Sequence, residues 1–84
     1  SKLKKIGHQL VAWEYYGEAL DIFAQIQAED EAVTEEFWLD CGICLYYLQD
    51  YGNAMAALER AANMGNSSNE LKSYIAWCKE AVKI

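Results

Sequence analysis

The chain repeats itself. Displaced by 35 positions, Tyr16-Gly17-Glu18-Ala19-Leu20 falls on Tyr51-Gly52-Asn53-Ala54-Met55. The same displacement carries Leu3 onto Trp38, Gly7 onto Gly42, Leu10 onto Leu45 and Phe23 onto Leu58. A displacement of 34 carries Cys41-Gly42 onto Ile75-Ala76. Two similar units and the first half of a third therefore fill the 84 residues. A repeat of this length is one supersecondary unit that cannot bury its apolar face alone, so neighbouring units must stack.

The apolar period inside each unit is helical. Trp38, Cys41, Gly42 and Leu45 are three, four and seven positions apart, one stripe of a helix, and Tyr51, Ala54, Leu58 and Ala61 make a matching stripe after a turn at Gln49-Asp50. Thr34 followed by Glu35 and Glu36 suits a helix start, because a hydroxyl caps the free N–H groups and acids favour the positive end. Met64-Gly65-Asn66 reads as a stop, and Ser67 with Glu70 as a capping box. The pattern predicts helices at 2–14, 16–28, 35–48, 51–64 and 68–83. The fold class is all-α: two antiparallel helix pairs and a C-terminal capping helix in a single domain over 1–84. The first unit covers about 1–34, the second about 35–68 and the cap about 68–83.

Composition excludes several classes. Seven basic against thirteen acidic residues give a formal charge of −6, and the one basic cluster is Lys2, Lys4 and Lys5. Nucleic acid and acidic lipid want the opposite balance. The longest nearly apolar run, 41–48, is far below the ~18 residues of a membrane span. Three cysteines without a disulfide-scaffold spacing, each inside a helical apolar pattern, read as buried thiols in a reducing compartment, hence a cytoplasmic setting.

The repeat resembles the tetratricopeptide family, whose pattern is W-x2-L-G-x2-Y, then A-x3-F, then P. Here the second unit reads Trp38-x2-Cys41-Gly42-x2-Leu45, then Ala54-x3-Leu58, with Asn66 in the proline's place. The first reads Leu3-x2-Ile6-Gly7-x2-Leu10, then Ala19-x3-Phe23. Cysteine for leucine and one extra residue in the 28–33 linker are the other departures. The resemblance implies a TPR-like α-solenoid in which Gly7 and Gly42 let paired helices approach, with Ala19 and Ala54 across the contact. Lys72 and Lys79 stand where the third unit would face a second helix, so the last helix reads as a polar end, its stripe Leu71, Ile75, Cys78 and Val82 covering the preceding pair. Nothing comparable closes the first pair, so further repeats before residue 1, a partner, or a second copy of the chain is expected to cover it.

Enzymatic chemistry finds little footing. Cys41-Gly42-Ile43-Cys44 matches C-x-x-C, but it falls mid-helix with no strand before it, and Cys41 fills a core slot. His8 is the sole histidine, and no phosphate loop or serine elbow occurs. The acids Glu29, Asp30, Glu31, Glu35 and Glu36 lack the alternating ligands of a calcium loop and read as a solvated linker entering a helix. No catalytic residue, metal or cofactor is expected.

The resemblance places the binding surface on the concave face lined by the first helix of each unit. It assigns Lys4, His8 and Val11 to that groove from the first unit, and Leu39, Asp40, Ile43, Tyr46 and Tyr47 from the second. Ser73, Trp77 and Glu80 come from the cap. None of these belongs to the core stripes above, so their apolar members suggest either packing between neighbouring helices or an aromatic groove for a partner segment. Asp40, Glu70 and Tyr74 replace the polar and basic residues with which one variant of the family clamps a C-terminal carboxylate, which disfavours that ligand. The expected function is protein–protein interaction, as adaptor, scaffold or chaperone-like module, secretion chaperones included. A self-association or assembly domain of a larger protein is the alternative.

Overall fold

A computed structural model of the chain describes residues 2–29 and 33–83. Five helices run in order: α1 (Lys2–Ala12), α2 (Tyr16–Ala28), α3 (Glu35–Tyr47), α4 (Tyr51–Asn63) and α5 (Asn69–Val82), with no strand among the described residues. All five fall on the expected segments. Asp30 and Glu31 of the acidic linker lie outside the described residues.

Helices α1 and α3 end one or two residues early for the same reason. Glu14 and Gln49, 35 positions apart, both take φ 67°. In the first turn Glu14 N–H donates to the Val11 carbonyl and Tyr15 N–H to Leu10; in the second, Gln49 donates to Tyr46 and Asp50 to Leu45. This is the Schellman arrangement, in which a left-handed residue lets the last carbonyls find donors. The third turn repeats it with glycine: Gly65, φ 105°, donates to Ala62, and Asn66 to Ala61. The sequence repeat is thus also a repeat of backbone hydrogen bonds.

The starts are capped as the chemistry requires. Thr34 Oγ1 accepts from Phe37 N–H at 3.3 Å ahead of Glu35 and Glu36. At α5 the cap is Ser68, which accepts from Leu71 N–H at 3.2 Å, and not the expected Ser67. Asn66 Oδ1 accepts from both the N–H and the hydroxyl of Ser68, which fixes the chain one residue later than the capping-box spacing suggests. Glu70 remains in the first turn, where its charge suits the helix dipole.

Turns of three residues leave α1 no room to do anything but fold back against α2, and α3 against α4. Contacts of Gly42 with Leu58 and Tyr46 with Tyr51 confirm that α3 and α4 run in opposite directions. A Cβ on Gly42 would lie 2.6 Å from Leu58 and 3.3 Å from the Ala54 carbonyl. The first pair is built alike, and there a Cβ on Gly7 would run into the Phe23 ring. Helix α3 also packs on α1, α2 and α5, and α4 on α5.

One core lies around Ala19, Phe23, Ile26, Phe37, Cys41 and Cys44; the other around Leu39, Ile43, Ala54, Leu58, Leu71 and Cys78. Trp38 and Leu45 flank both. Of the apolar stripe expected on α5, Leu71 and Cys78 are buried and Ile75 half-buried, but Val82, the last residue of the helix, is 61% exposed. Lys72 and Lys79 point to solvent. Among the described residues no helix is long and apolar enough to cross a membrane.

Candidate functional site

Helices α1, α3 and α5 stand side by side, with α3 between the other two. The eleven groove residues expected from the sequence all lie on these three helices, but they do not form one exposed surface. Leu39 and Ile43 are 6% exposed and belong to the core with Leu58 and Leu71. Of the two readings of the apolar members, packing between neighbouring helices holds for this pair, because α5 packs on that face of α3 and covers it. Val11 is half-buried against both cores. What remains accessible divides into two clusters along α3, whose residues Glu36, Asp40, Ile43 and Tyr47 are spaced four, three and four.

The first cluster is aromatic. Tyr46 packs on Tyr47 at 5.1 Å, Tyr74 at 5.5 Å, Trp77 at 6.2 Å and Tyr51 at 5.7 Å between centroids. Tyr74 meets Trp77 edge-on at 5.0 Å, and Tyr47 stacks on Tyr16 at 4.7 Å, 12° from parallel. The hydroxyls of Tyr47 and Tyr74 hydrogen-bond at 3.1 Å. Burial, that hydrogen bond and nearby negative charge push the Tyr74 phenol well above its ordinary range, so it stays neutral. Tyr46 is half-buried at the centre, whereas Trp77 is 48% and Tyr47 46% exposed. The cluster therefore has a packed base and an open apolar rim. Glu80 lies exposed one turn beyond Trp77, and Ser73 is half-buried beside Tyr74.

The second cluster is polar. His8 Nδ1 lies 2.9 Å from Asp40 Oδ2 and 3.3 Å from Glu36 Oε1. Asp40 is 6% exposed and His8 is the partner that compensates it. Burial raises the Asp40 carboxyl despite that bond, and the Asp40 hydrogen bond raises the His8 imidazole above 6.5. Lys4, Lys5, Gln9, Thr34 and Phe37 line the same recess of about 390 Å³.

The thiols behave as packing. Cys41, Cys44 and Cys78 are free and buried, and burial pushes Cys41 and Cys44 up to about 12. A thiol held there is protonated at neutral pH and is no nucleophile.

Two members of these clusters, Tyr16 and Tyr51, escape a reading of the first helices alone. Tyr16 opens α2, outside the helices the resemblance assigns to the groove. Tyr74 was legible as an aromatic three positions before Trp77 on the same face. Glu36 was legible likewise, four positions before Asp40. Compared with known proteins, the chain matches no family model, no curated protein and no solved structure.

Proposed function

We propose that the chain is a short TPR-like α-solenoid that binds a segment of another protein, with the rim formed by Tyr47, Tyr74 and Trp77 as its main contact. The observation that carries this reading is Trp77, a large apolar side chain left 48% exposed beside a cluster already packed beneath it. Aromatic side chains bind through large rigid area at low entropic cost, and Trp and Tyr dominate interface energetics. The repeated 35-residue backbone pattern and the close approaches at Gly7 and Gly42 support the solenoid. Glu80 and Glu70 lie exposed on α5, and the chain carries −6, so the preferred segment has apolar anchors flanked by lysine or arginine.

Selection from a displayed random-peptide library against the folded chain tests this. Enrichment of apolar anchors with basic flanks, lost on Trp77→Ala, supports the reading; enrichment indifferent to Trp77 removes its basis.

A second reading has its own observation. Ile6 is 47%, Trp13 62% and Tyr15 55% exposed, at the edge of the first pair. Such residues suit association of one copy with another. Light scattering with Trp13→Ser decides it: a dimer that the substitution dissociates favours self-association, and a monomer at high concentration dismisses it.

A further inference from the structure

Asp40, on α3, points a carboxylate with nearly all its surface removed from water at the sole histidine of the chain, on α1, and Glu36 reaches the same nitrogen from one turn away. Among the described residues His8, Glu36 and Asp40 form a group of three ligand atoms within 4.8 Å of one another. We propose that they bind a first-row divalent transition metal ion, such as zinc, nickel or cobalt, which ties α1 to α3.

The geometry favours it. Ligands about 2.0–2.2 Å from such an ion sit about 3.0–3.5 Å from each other in tetrahedral or octahedral arrangements. Two of the three separations, 2.9 and 3.3 Å from His8 Nδ1, fall close to that range, and the two carboxylates, within 4.8 Å of each other, close the third by a movement of Glu36. Glu36 is exposed enough to adjust its rotamer, while Asp40 is held by packing. An imidazole with two carboxylates selects transition metals over magnesium or calcium, which prefer all-oxygen sites. Binding replaces the Nδ1 proton by the metal and leaves the remaining positions to water from the adjoining recess. Lys4 and Lys5 line that recess and oppose a dication, so a micromolar rather than a nanomolar affinity is expected.

Calorimetric titration of chelator-treated protein with zinc and with nickel, and magnesium as control, tests the proposal. One ion binds per chain, magnesium does not, and the melting temperature rises with saturation and falls back on adding chelator. Glu36→Gln weakens binding at least ~10-fold while its metal-free melting temperature stays within a few degrees of the parent; His8→Asn weakens it as much and lowers the metal-free melting temperature, because it takes the charged partner from Asp40. Asp40→Asn, which keeps a hydrogen-bonding side chain of the same shape, weakens binding likewise if the buried carboxylate is a ligand. Cobalt gives visible bands without thiolate charge-transfer absorption. Absence of saturable binding at millimolar metal overturns the proposal. So does binding that survives His8→Asn, or a thiolate band that moves the site to Cys41, Cys44 or Cys78.

Discussion

Alanine at Gly42 puts the account of the helix pairs at risk most simply. In an open helix Gly→Ala gains about 1 kcal/mol, from lower backbone entropy in the unfolded chain and better propensity. At Gly42 the new methyl arrives 2.6 Å from Cγ and Cδ2 of Leu58, and 3.3 Å from the Ala54 carbonyl. Leu58 is fully buried, so its Cγ has nowhere to retreat, and the carbonyl belongs to α4 itself. Overpacking of this kind costs about 1–3 kcal/mol, and two fixed obstacles favour the upper half. The net expectation is a loss of about 1–2 kcal/mol, or roughly 5–15 °C in melting temperature for a domain of this size. Gly52 supplies the control within the same helix pair. Nothing lies within 4 Å of its added Cβ, so Gly52→Ala gains about 0.5–1 kcal/mol. Leu58→Ala alone costs about 2–5 kcal/mol, and combining it with Gly42→Ala restores part of the loss because the methyl fills the vacated space. Thermal and urea melts of the four variants measure this. If Gly42→Ala stabilises as much as Gly52→Ala, the close approach of α3 and α4 does not exist.

Three further outcomes follow from named features. Gln49→Gly raises stability by about 0.5–1 kcal/mol by urea melt, since φ 67° costs an L-residue more than glycine loses in unfolded-state entropy; an unchanged midpoint argues against the left-handed turn. Cys41 and Cys44, pushed up to about 12 by burial, resist a thiol reagent at pH 8 in the native state and react on denaturation; prompt native labelling contradicts the packing. In chelator, stability declines as pH rises above 6.5, because the folded imidazole of His8 holds its proton past the unfolded value and its contribution, complete below 6.5, is lost as the pH passes through the raised pKa. His8→Asn removes that decline, and a decline that persists in the variant assigns it elsewhere.

Much of the fold was legible because repeat and period act together. Five helix segments follow from apolar spacing, and Thr34 and Gly65 mark their borders by elementary capping chemistry. The left-handed turns at Glu14 and Gln49 were not legible, since neither residue prefers that conformation; the neighbouring helices impose it. Ser68 displaced Ser67 as a cap through Asn66, a side-chain contact that spacing alone does not rank. The placement of the residues expected in a groove was legible only in part. Lys4, His8, Asp40, Tyr46, Tyr47, Trp77 and Glu80 could be assigned to three adjacent helices, but the alternation that put Leu39 and Ile43 with them does not say how closely α5 leans on α3. That packing decides burial, and it is long-range: Leu71 and Cys78 of α5 share one core with Leu39, Ile43 and Leu58. The His8–Glu36–Asp40 cluster depends on a rotation of α1 against α3 that no local pattern reports.

The proposed partner segment seats on the rim of Tyr47, Tyr74 and Trp77. Amide and indole chemical shifts of the labelled chain, followed while a library-selected peptide is added, measure this directly. Saturable changes are expected at Tyr46, Tyr47, Tyr74 and the Trp77 indole, with little change on α2 and α4 apart from Tyr16 and Tyr51, and about a 5–100-fold loss of affinity in Trp77→Ala with its melting temperature within a few degrees of the parent. Shifts centred on α2 and α4, or a Trp77→Ala variant that binds as tightly as the parent, would contradict that seating.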